Sequence, residues 1–242
     1  MKNVTLFAVI VFATILTACN KGGATGARIK TMVSAKGQTT EFSYSADNKI
    51  SSIRIFGGSP DTTKVTFTYT ANTVTQTVTN PQSPEPHVQA LNLSAAGYVD
   101  SFSSPSRMGN VLTINTRDAE GHTILTQEFL NGQLTHSVKF IFKDGNEVSR
   151  VITDETQQPV ATVTVFFDYY TDKVSSLTPE NQGMKFRGVD SKNLMKKAVQ
   201  VSPKGDSLGA DFHYKFDDKG RVISQAIYQR GMQADSNNYT YY

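Results

Sequence analysis

A β-hairpin pattern recurs along this chain about every 25 residues, and it constrains the fold more than any other feature of the sequence. In each clear copy an alternating apolar run ends, a polar turn follows, and Val or Ile resumes six residues later. These copies join Tyr44 to Ile50, Leu93 to Val99, Phe142 to Val148 and Phe216 to Val222. Aligned on the last residue of the first strand, six copies fall at positions 44, 69, 93, 142, 167 and 216, and residues 112–127 hold a weaker one. The chain is therefore expected to consist of repeated hairpins.

The apolar residues within each copy alternate with polar ones, as in Val65, Phe67 and Tyr69. A period of two with one apolar face is typical of a half-buried strand. Successive hairpins predict an all-β antiparallel meander of roughly fourteen to sixteen strands, too many for one flat sheet. Residues 28–242 are expected to form a single domain, a strongly curved sheet or open barrel. A two-layer β-sandwich is the alternative.

One copy is missing near residue 191, where the segment Ser191-Lys192-Asn193-Leu194 stands instead. Ser191 is a suitable N-cap, and the residues that follow it favour one or two helical turns. The sequence therefore predicts one short helix near residues 191–199. We expect this helix to plug an open end of the curved sheet, or to act as a lid over a ligand cavity.

The only cysteine of the chain, Cys19, follows a short apolar run that opens the sequence. Val4 to Ala18 is shorter than the about 20 residues that a helix needs to cross a bilayer, and it has the size of a signal-peptide core. Leu16-Thr17-Ala18-Cys19 resembles the bacterial lipobox, in which the cysteine thiol receives a diacylglycerol. Residues 1–18 are therefore predicted to be a lipoprotein signal peptide, Cys19 the lipid attachment site, and residues 19–27 a flexible tether.

Charge and cysteine content exclude several classes of protein. Loss of Lys2 with the signal peptide leaves 23 basic and 21 acidic residues, and no dense basic block stands out. Nucleic-acid binding is therefore not expected, because it normally requires a basic patch or stripe. A single cysteine allows no disulfide within the chain, so the domain must be stabilised by burial.

The stretch Tyr214-Lys-Phe-Asp-Asp-Lys-Gly220-Arg-Val222 resembles the YD repeats of bacterial wall-associated and toxin-casing proteins. The order of lipobox, hairpins, the segment 191–194, the Tyr-rich hairpin 212–228 and a final strand resembles a lipoprotein family of Bacteroidota that is known only as a domain of unknown function. This resemblance implies an envelope lipoprotein. It implies no catalytic residue and no cofactor.

The sequence contains few arrangements that are typical of a catalytic or metal-binding site. Ser207 lies in Gly-Asp-Ser-Leu, which resembles the nucleophile block of an esterase family, and Asp211 and His213 follow it. The sequence nevertheless offers no oxyanion hole, and no catalytic site is predicted. The four histidines, His87, His122, His136 and His213, have no metal-ligand spacing. Thr62 and Ser207 lie in triplets that resemble O-glycosylation sites of Bacteroidota envelope proteins.

Three functions remain open on these grounds. The first is a non-enzymatic binding or scaffold lipoprotein whose sheet face or edge binds a protein or a glycan. The second is a carrier of a lipid or another hydrophobic ligand inside the curved sheet, and the third is a hydrolase acting through Ser207. The predicted location is the outer membrane, facing the periplasm, with a lipid anchor and no cofactor or metal. A packed interior would favour the first function, and a hollow one the second.

Overall fold

The structure, a computed structural model, describes residues 27–57, 62–106 and 108–242. Cys19, the predicted signal peptide and most of the predicted tether lie outside the described residues. The described part contains sixteen strands: β1 (Ile29–Ser34), β2 (Thr39–Tyr44), β3 (Ile50–Phe56), β4 (Thr63–Tyr69), β5 (Thr73–Asn80), β6 (Ser83–Leu93), β7 (Val99–Ser106), β8 (Gly109–Arg117), β9 (Thr123–Leu130), β10 (Gln133–Lys143), β11 (Asn146–Asp154), β12 (Ala161–Val174), β13 (Asn193–Val201), β14 (Ser207–Phe216), β15 (Val222–Gln229) and β16 (Met232–Tyr241).

All sixteen strands belong to one sheet, in which each strand pairs antiparallel with the next. The sheet closes where β1 pairs with β16, from Ile29 opposite Tyr241 to Ser34 opposite Asn237. The expected antiparallel meander is thus confirmed, but the barrel is closed where we expected an open or nearly closed one. The alternative of two stacked sheets is wrong. A barrel of sixteen strands is wide enough to leave space inside.

The two ends of the barrel differ. We call the end that holds both chain termini and the connections after even-numbered strands the strap end, and the opposite end the mouth. Several turns at the mouth have only two residues, as in Asn131-Gly132 and Arg230-Gly231, where both residues of each turn have positive φ. Such turns match the right-handed twist of the flanking strands, so they hold the hairpins tightly.

The inner face of the barrel carries most of the apolar residues. Along β4, Val65 and Phe67 are buried, whereas Lys64 and Thr68 on either side of them are exposed. The same alternation places Phe42, Val74 and Leu91 in one continuous inner core. Burial of this face is what drives the sheet to curve and close.

Six side chains near the ends of even-numbered strands make the same kind of contact in six hairpins. Each donates a hydrogen bond to a backbone carbonyl at or near the start of the preceding strand, and we call them the latch residues. The pairs are Tyr44 to Ile29 (2.6 Å), Tyr69 to Ile50 (2.8 Å), Arg117 to Val99 (3.2 Å), Tyr169 to Glu147 (2.8 Å), Tyr214 to Met195 (2.9 Å) and Tyr241 to Val222 (2.8 Å). Burial raises the pKa of all five latch tyrosines, so their hydroxyls stay protonated and able to donate.

The connection from β12 to β13, residues 175–192, crosses the strap end, and we call it the strap. Backbone hydrogen bonds tie it to four other parts of the barrel: Ile29 N–H to the Asn181 carbonyl (3.2 Å), Ile50 N–H to the Gly183 carbonyl (3.0 Å), Val189 N–H to the Gly121 carbonyl (3.1 Å) and Lys192 N–H to the Gly145 carbonyl (2.8 Å). Leu177, Met184 and Phe186 of the strap are buried in the barrel core. The strap therefore closes this end.

The predicted short helix near residues 191–199 is wrong. Asn193–Val201 is strand β13, paired with β12 and β14, and the only helical element in the described residues is a 3-10 turn at Lys185–Arg187. Pairing on both sides satisfies the backbone of β13, and this outweighs a weak local preference for helix. The plug that we expected from a helix is supplied by the strap. Within residues 27–57, 62–106 and 108–242 no helix is both long and apolar enough to span a bilayer.

Candidate binding cavity

The lumen contains a cavity of about 520 Å³. Its walls come from strands β5 to β11 and its floor from the strap. Apolar side chains cover part of it: Leu91, Val99, Phe102, Phe140, Phe142 and Phe186. Neutral polar side chains cover another part: Gln76, Gln89, Asn115, Thr123 and Thr126. Cavities of roughly 300–1,000 Å³ with apolar walls and a few polar groups are typical of small-molecule sites.

A buried ion pair forms one wall of the cavity. The Arg150 guanidinium donates two hydrogen bonds to the Glu147 carboxylate, at 2.6 and 2.7 Å, and the two residues are 7% and 6% exposed. The guanidinium also lies against two rings, with centroid distances of 5.2 Å to Phe140 and 5.0 Å to Phe167. The charge of Arg150 is therefore neutralised within the wall.

The Glu147 side of this pair is tied to the strap. Glu147 N–H donates to the Ser191 hydroxyl at 3.0 Å, and the Tyr169 hydroxyl donates to the Glu147 carbonyl at 2.8 Å. Ser191, which we predicted to be a helix N-cap, thus joins the end of the strap to β11 and β12. The ion pair, the latch and the strap form one hydrogen-bonded unit.

Arg117 holds the floor of the cavity in place. Its guanidinium donates to the carbonyls of Gly121 (3.1 Å), Val99 (3.2 Å) and Arg187 (3.0 Å). Burial lowers the pKa of Arg117, and nearby carboxylates, including that of Asp190, oppose this effect. Because the guanidinium bonds to three carbonyls, it fixes the backbone of the strap at Arg187.

Arg187 differs from the other two arginines. Its side chain lines the cavity and is exposed to water, although the barrel wall surrounds it. Burial lowers the pKa of this guanidinium, and the Asp190 carboxylate opposes the shift. The cavity thus presents a water-accessible cation among aromatic rings, beside one carboxylate of the strap.

The mouth of the barrel is wetter than the strap end. His136 lies between Glu128 and Asp154 on the inner face, with nitrogen–oxygen distances of 3.7 and 3.9 Å. The side chains of His136 and Glu128 remain 46% and 45% exposed. Water therefore reaches the lumen from the mouth.

The residues of the considered esterase site do not converge. Ser207 opens β14, opposite Val201, and Asp211 and His213 follow it on the outer face of the same strand. Six residues of strand separate Ser207 from His213 by roughly 20 Å. The His213 ring contacts Tyr228 edge-on instead, at 5.1 Å. Thr62 and Ser207 both lie outside the cavity lining.

One possible metal-binding group occurs in the described part of the chain, where ligand atoms of Asp118, Glu120 and His122 lie within 4.8 Å of one another. The Asp118 carboxylate already accepts hydrogen bonds from the His122 backbone N–H (2.8 Å) and bonds to its Nδ1 (2.9 Å). The His122 ring is stacked on Phe142 at 4.3 Å. These contacts hold residues 118–122 in a closed turn at the strap end, in which the Asp118 carboxylate and the His122 ring already bond to each other.

Sequence reasoning missed the charged residues of the cavity. Arg150 carried a usable signal, because a charged residue at a core-facing strand position is rare unless it is paired. Arg187 carried none, because it lies in the strap, where no repeat marks which side chains face inward.

No protein-family model matches the sequence, and a comparison with curated proteins finds no match. Solved structures with a similar fold include two porin-like proteins. A porin-like protein from Bacteroides uniformis ATCC 8492 shares 13% identity and a TM-score of 0.62, over 89% of this chain and 96% of that chain. A porin-like protein from Bacteroides vulgatus ATCC 8482 shares 11% identity and a TM-score of 0.64, over 89% of this chain and 99% of that chain. At these identities the likeness shows the fold alone.

Proposed function

We propose that this protein is a non-enzymatic envelope lipoprotein that binds a small hydrophobic or amphipathic ligand in the lumen of its barrel. The observation that carries this proposal is the hollow interior, a cavity of about 520 Å³ with an aromatic lining. Of the functions predicted from sequence, a carrier of a hydrophobic ligand needs such a space. The strap closes one end, which makes the barrel a container with one opening.

The outer face of β14 supports a barrel that stands in water, whereas β8, β10 and β12 expose the apolar side chains of Leu112, Ile114, Ile141 and Phe166 on the same wall. Transmembrane barrels carry an apolar band outside and a polar interior. Here the order is reversed along β14, where Ala210 and Phe212 are buried inside while Asp211, His213 and Lys215 are exposed outside. The porin-like proteins therefore serve as a guide to the fold of this chain, and the envelope location rests on Cys19.

A protein or glycan partner has fewer places to bind than the sequence suggested. Closure pairs every described strand on both sides, so no free sheet edge is left for a protein or glycan to extend. The outer wall still exposes apolar side chains, among them Leu112, Ile141 and Phe166. A protein partner would have to use this wall or the mouth.

Blocking the lumen tests the proposed function. Gln76→Trp places an indole in the cavity, and Thr77→Trp places the same group on the outer face of β5 as a matched control. We expect the neutral probe N-phenyl-1-naphthylamine to bind the wild type. Gln76→Trp should weaken this binding by about tenfold or more, the equivalent of about 1.4 kcal/mol of lost contact.

The readout is the fluorescence of the bound probe, and circular dichroism shows that each variant is folded. Thr77→Trp is expected to bind the probe as the wild type does. Native mass spectrometry of freshly purified protein should also reveal a co-purified ligand. Equal probe binding by the Gln76 and Thr77 variants would contradict a luminal site.

The proposed anchor is tested separately from the ligand. Cys19→Ser removes the thiol that would accept the diacylglycerol, while keeping the size of the side chain. In a Gram-negative host fed labelled palmitate, we expect the wild-type chain to carry label and to sediment with membranes. The variant should do neither. An unlabelled wild-type chain would rule out lipidation at Cys19.

A further inference from the structure

The chemistry of the cavity identifies a class of ligand. The lining contains three guanidinium groups, from Arg117, Arg150 and Arg187, and two carboxylates, from Glu147 and Asp190. Counted by formal charge, the lining is therefore +1. A ligand that enters this space meets an excess of one positive charge over an otherwise apolar and neutral surface.

Two of the three guanidinium groups are already bonded to other groups of the protein. Arg150 is bonded through two of its nitrogens to Glu147 and lies between two phenyl rings. Arg117 donates to three backbone carbonyls. Releasing either group to bind a ligand would leave a buried carboxylate or buried carbonyls without their donor, which is costly.

Arg187 is placed differently, because its backbone is held while its side chain reaches water inside the lumen. Its N–H donates to the Met184 carbonyl at 2.9 Å, and its carbonyl accepts from Arg117 at 3.0 Å. Phe186, the preceding residue, lines the same cavity and packs against the core. The guanidinium is thus presented from a fixed support beside an aromatic surface.

Because the Arg187 guanidinium is enclosed by protein, it gains more from binding an anion than a guanidinium on the surface would. A guanidinium surrounded by protein is less well hydrated than one on the surface, which is why burial lowers the pKa of Arg187. An anionic group that bonds to it would restore this lost solvation, and attraction between charges is stronger in an enclosed site than in bulk water. The Asp190 carboxylate meets part of that demand, and by formal charge one positive charge of the lining is left without a counter-charge.

We infer that the ligand is a monoanionic amphipath, with one carboxylate or similar group on Arg187 and an apolar body against Phe140, Phe142 and Phe186. The inference rests on the proposed luminal function and deepens it. A guanidinium presents a planar pair of donors that matches a carboxylate. The rings offer a non-directional apolar surface for the remainder of the ligand.

Three probes with the same dodecyl chain test the charge preference: dodecanoate, dodecanol and dodecyltrimethylammonium. Each is titrated against protein loaded with N-phenyl-1-naphthylamine, and displacement of the dye gives its affinity. For the wild type we expect dodecanoate to bind about tenfold more tightly than dodecanol, as for a charge-assisted hydrogen bond. The cationic probe should bind the most weakly.

The variant Arg187→Gln is expected to lose the preference for dodecanoate while it binds dodecanol as the wild type does. Lys185→Gln is the matched control, because Lys185 carries the same charge on the same 3-10 turn but does not line the cavity. This control should keep the tenfold preference. Arg187→Lys retains the charge but loses the planar pair of donors, so part of the preference should remain.

The outcomes separate this inference from the function on which it rests. Equal affinity of the wild type for all three probes would refute an anionic ligand and leave luminal binding intact. A parallel loss of dodecanoate and dodecanol in Arg187→Gln would assign Arg187 a structural role and would also refute the inference. If none of the probes, including the dye, binds the wild type, the proposed function fails with it.

Discussion

Replacing Arg150 with methionine is expected to lower the free energy of unfolding by about 3–5 kcal/mol. Methionine is apolar and of similar length to arginine, so it fills much of the same space. It leaves the carboxylate of Glu147, a residue that is 6% exposed, without its partner. A buried charge that has lost its counter-ion pays the cost of desolvation with no compensating attraction. Chemical denaturation followed by circular dichroism measures the loss.

An exposed pair on the barrel wall provides the control. Arg54 bonds to Glu41 at 3.1 Å across β2 and β3, and the two side chains are 54% and 38% exposed. Arg54→Met should cost at most about 1 kcal/mol, as surface ion pairs do. If Arg150→Met costs no more than Arg54→Met, the ion pair in the cavity wall is not a stabilising contact. Combining Arg150→Met with Glu147→Leu should recover much of the loss, since no lone charge remains.

Gly183→Ala is expected to destabilise the barrel by about 3 kcal/mol and to loosen the strap. Gly183 has a φ of +66°, and a Cβ atom there would lie 2.6 Å from the Ile50 nitrogen and 2.9 Å from the Asn48 carbonyl oxygen. These are backbone atoms, so they cannot rotate away as a side chain would. The hydrogen bond from Ile50 N–H to the Gly183 carbonyl would have to stretch or break.

The variant Gly220→Ala separates the two causes of the loss of stability, which are backbone strain and the steric contact of the added Cβ atom. Gly220 has a φ of +73° in the β14–β15 turn, and a Cβ atom there would meet nothing within 4 Å. Gly220→Ala should therefore show only the backbone strain, about 1–2 kcal/mol. Amide hydrogen exchange at Ile50 should accelerate in Gly183→Ala but not in Gly220→Ala. Equal losses of stability in the two variants would show that the strap does not depend on close contact at Gly183.

The hairpin repeat predicted the architecture because local pairing dominates this fold. In three copies the two residues six apart in the sequence also lie opposite each other across the hairpin: Tyr44 and Ile50, Leu93 and Val99, and Phe216 and Val222. Closure could not be predicted in the same way. It depends on β1 meeting β16, two strands at opposite ends of the described chain with no turn between them to mark the contact.

In the fourth copy, Phe142 and Val148 are not opposite each other, and the one-residue difference matters for the cavity. Phe142 lies opposite Glu147, because the turn at Asp144-Gly145 is shorter than in the other copies. A one-residue change of register moves a side chain to the other face of a sheet. The accompanying bulge places Glu147 on the same inner face as Arg150, so the ion pair could not be read from a regular alternation.

The position of the chain termini has a consequence for how the barrel would meet its ligand. β1 begins at the strap end, and Tyr242 N–H bonds to the Arg28 carbonyl there at 3.0 Å. A lipid on Cys19 would then hold the strap end towards the bilayer, because the chain from Cys19 to the start of β1 reaches at most about 35 Å when fully extended. The mouth would face the aqueous compartment. Cargo would be captured from solution or handed over by a soluble donor, and direct extraction from the supporting leaflet would be disfavoured.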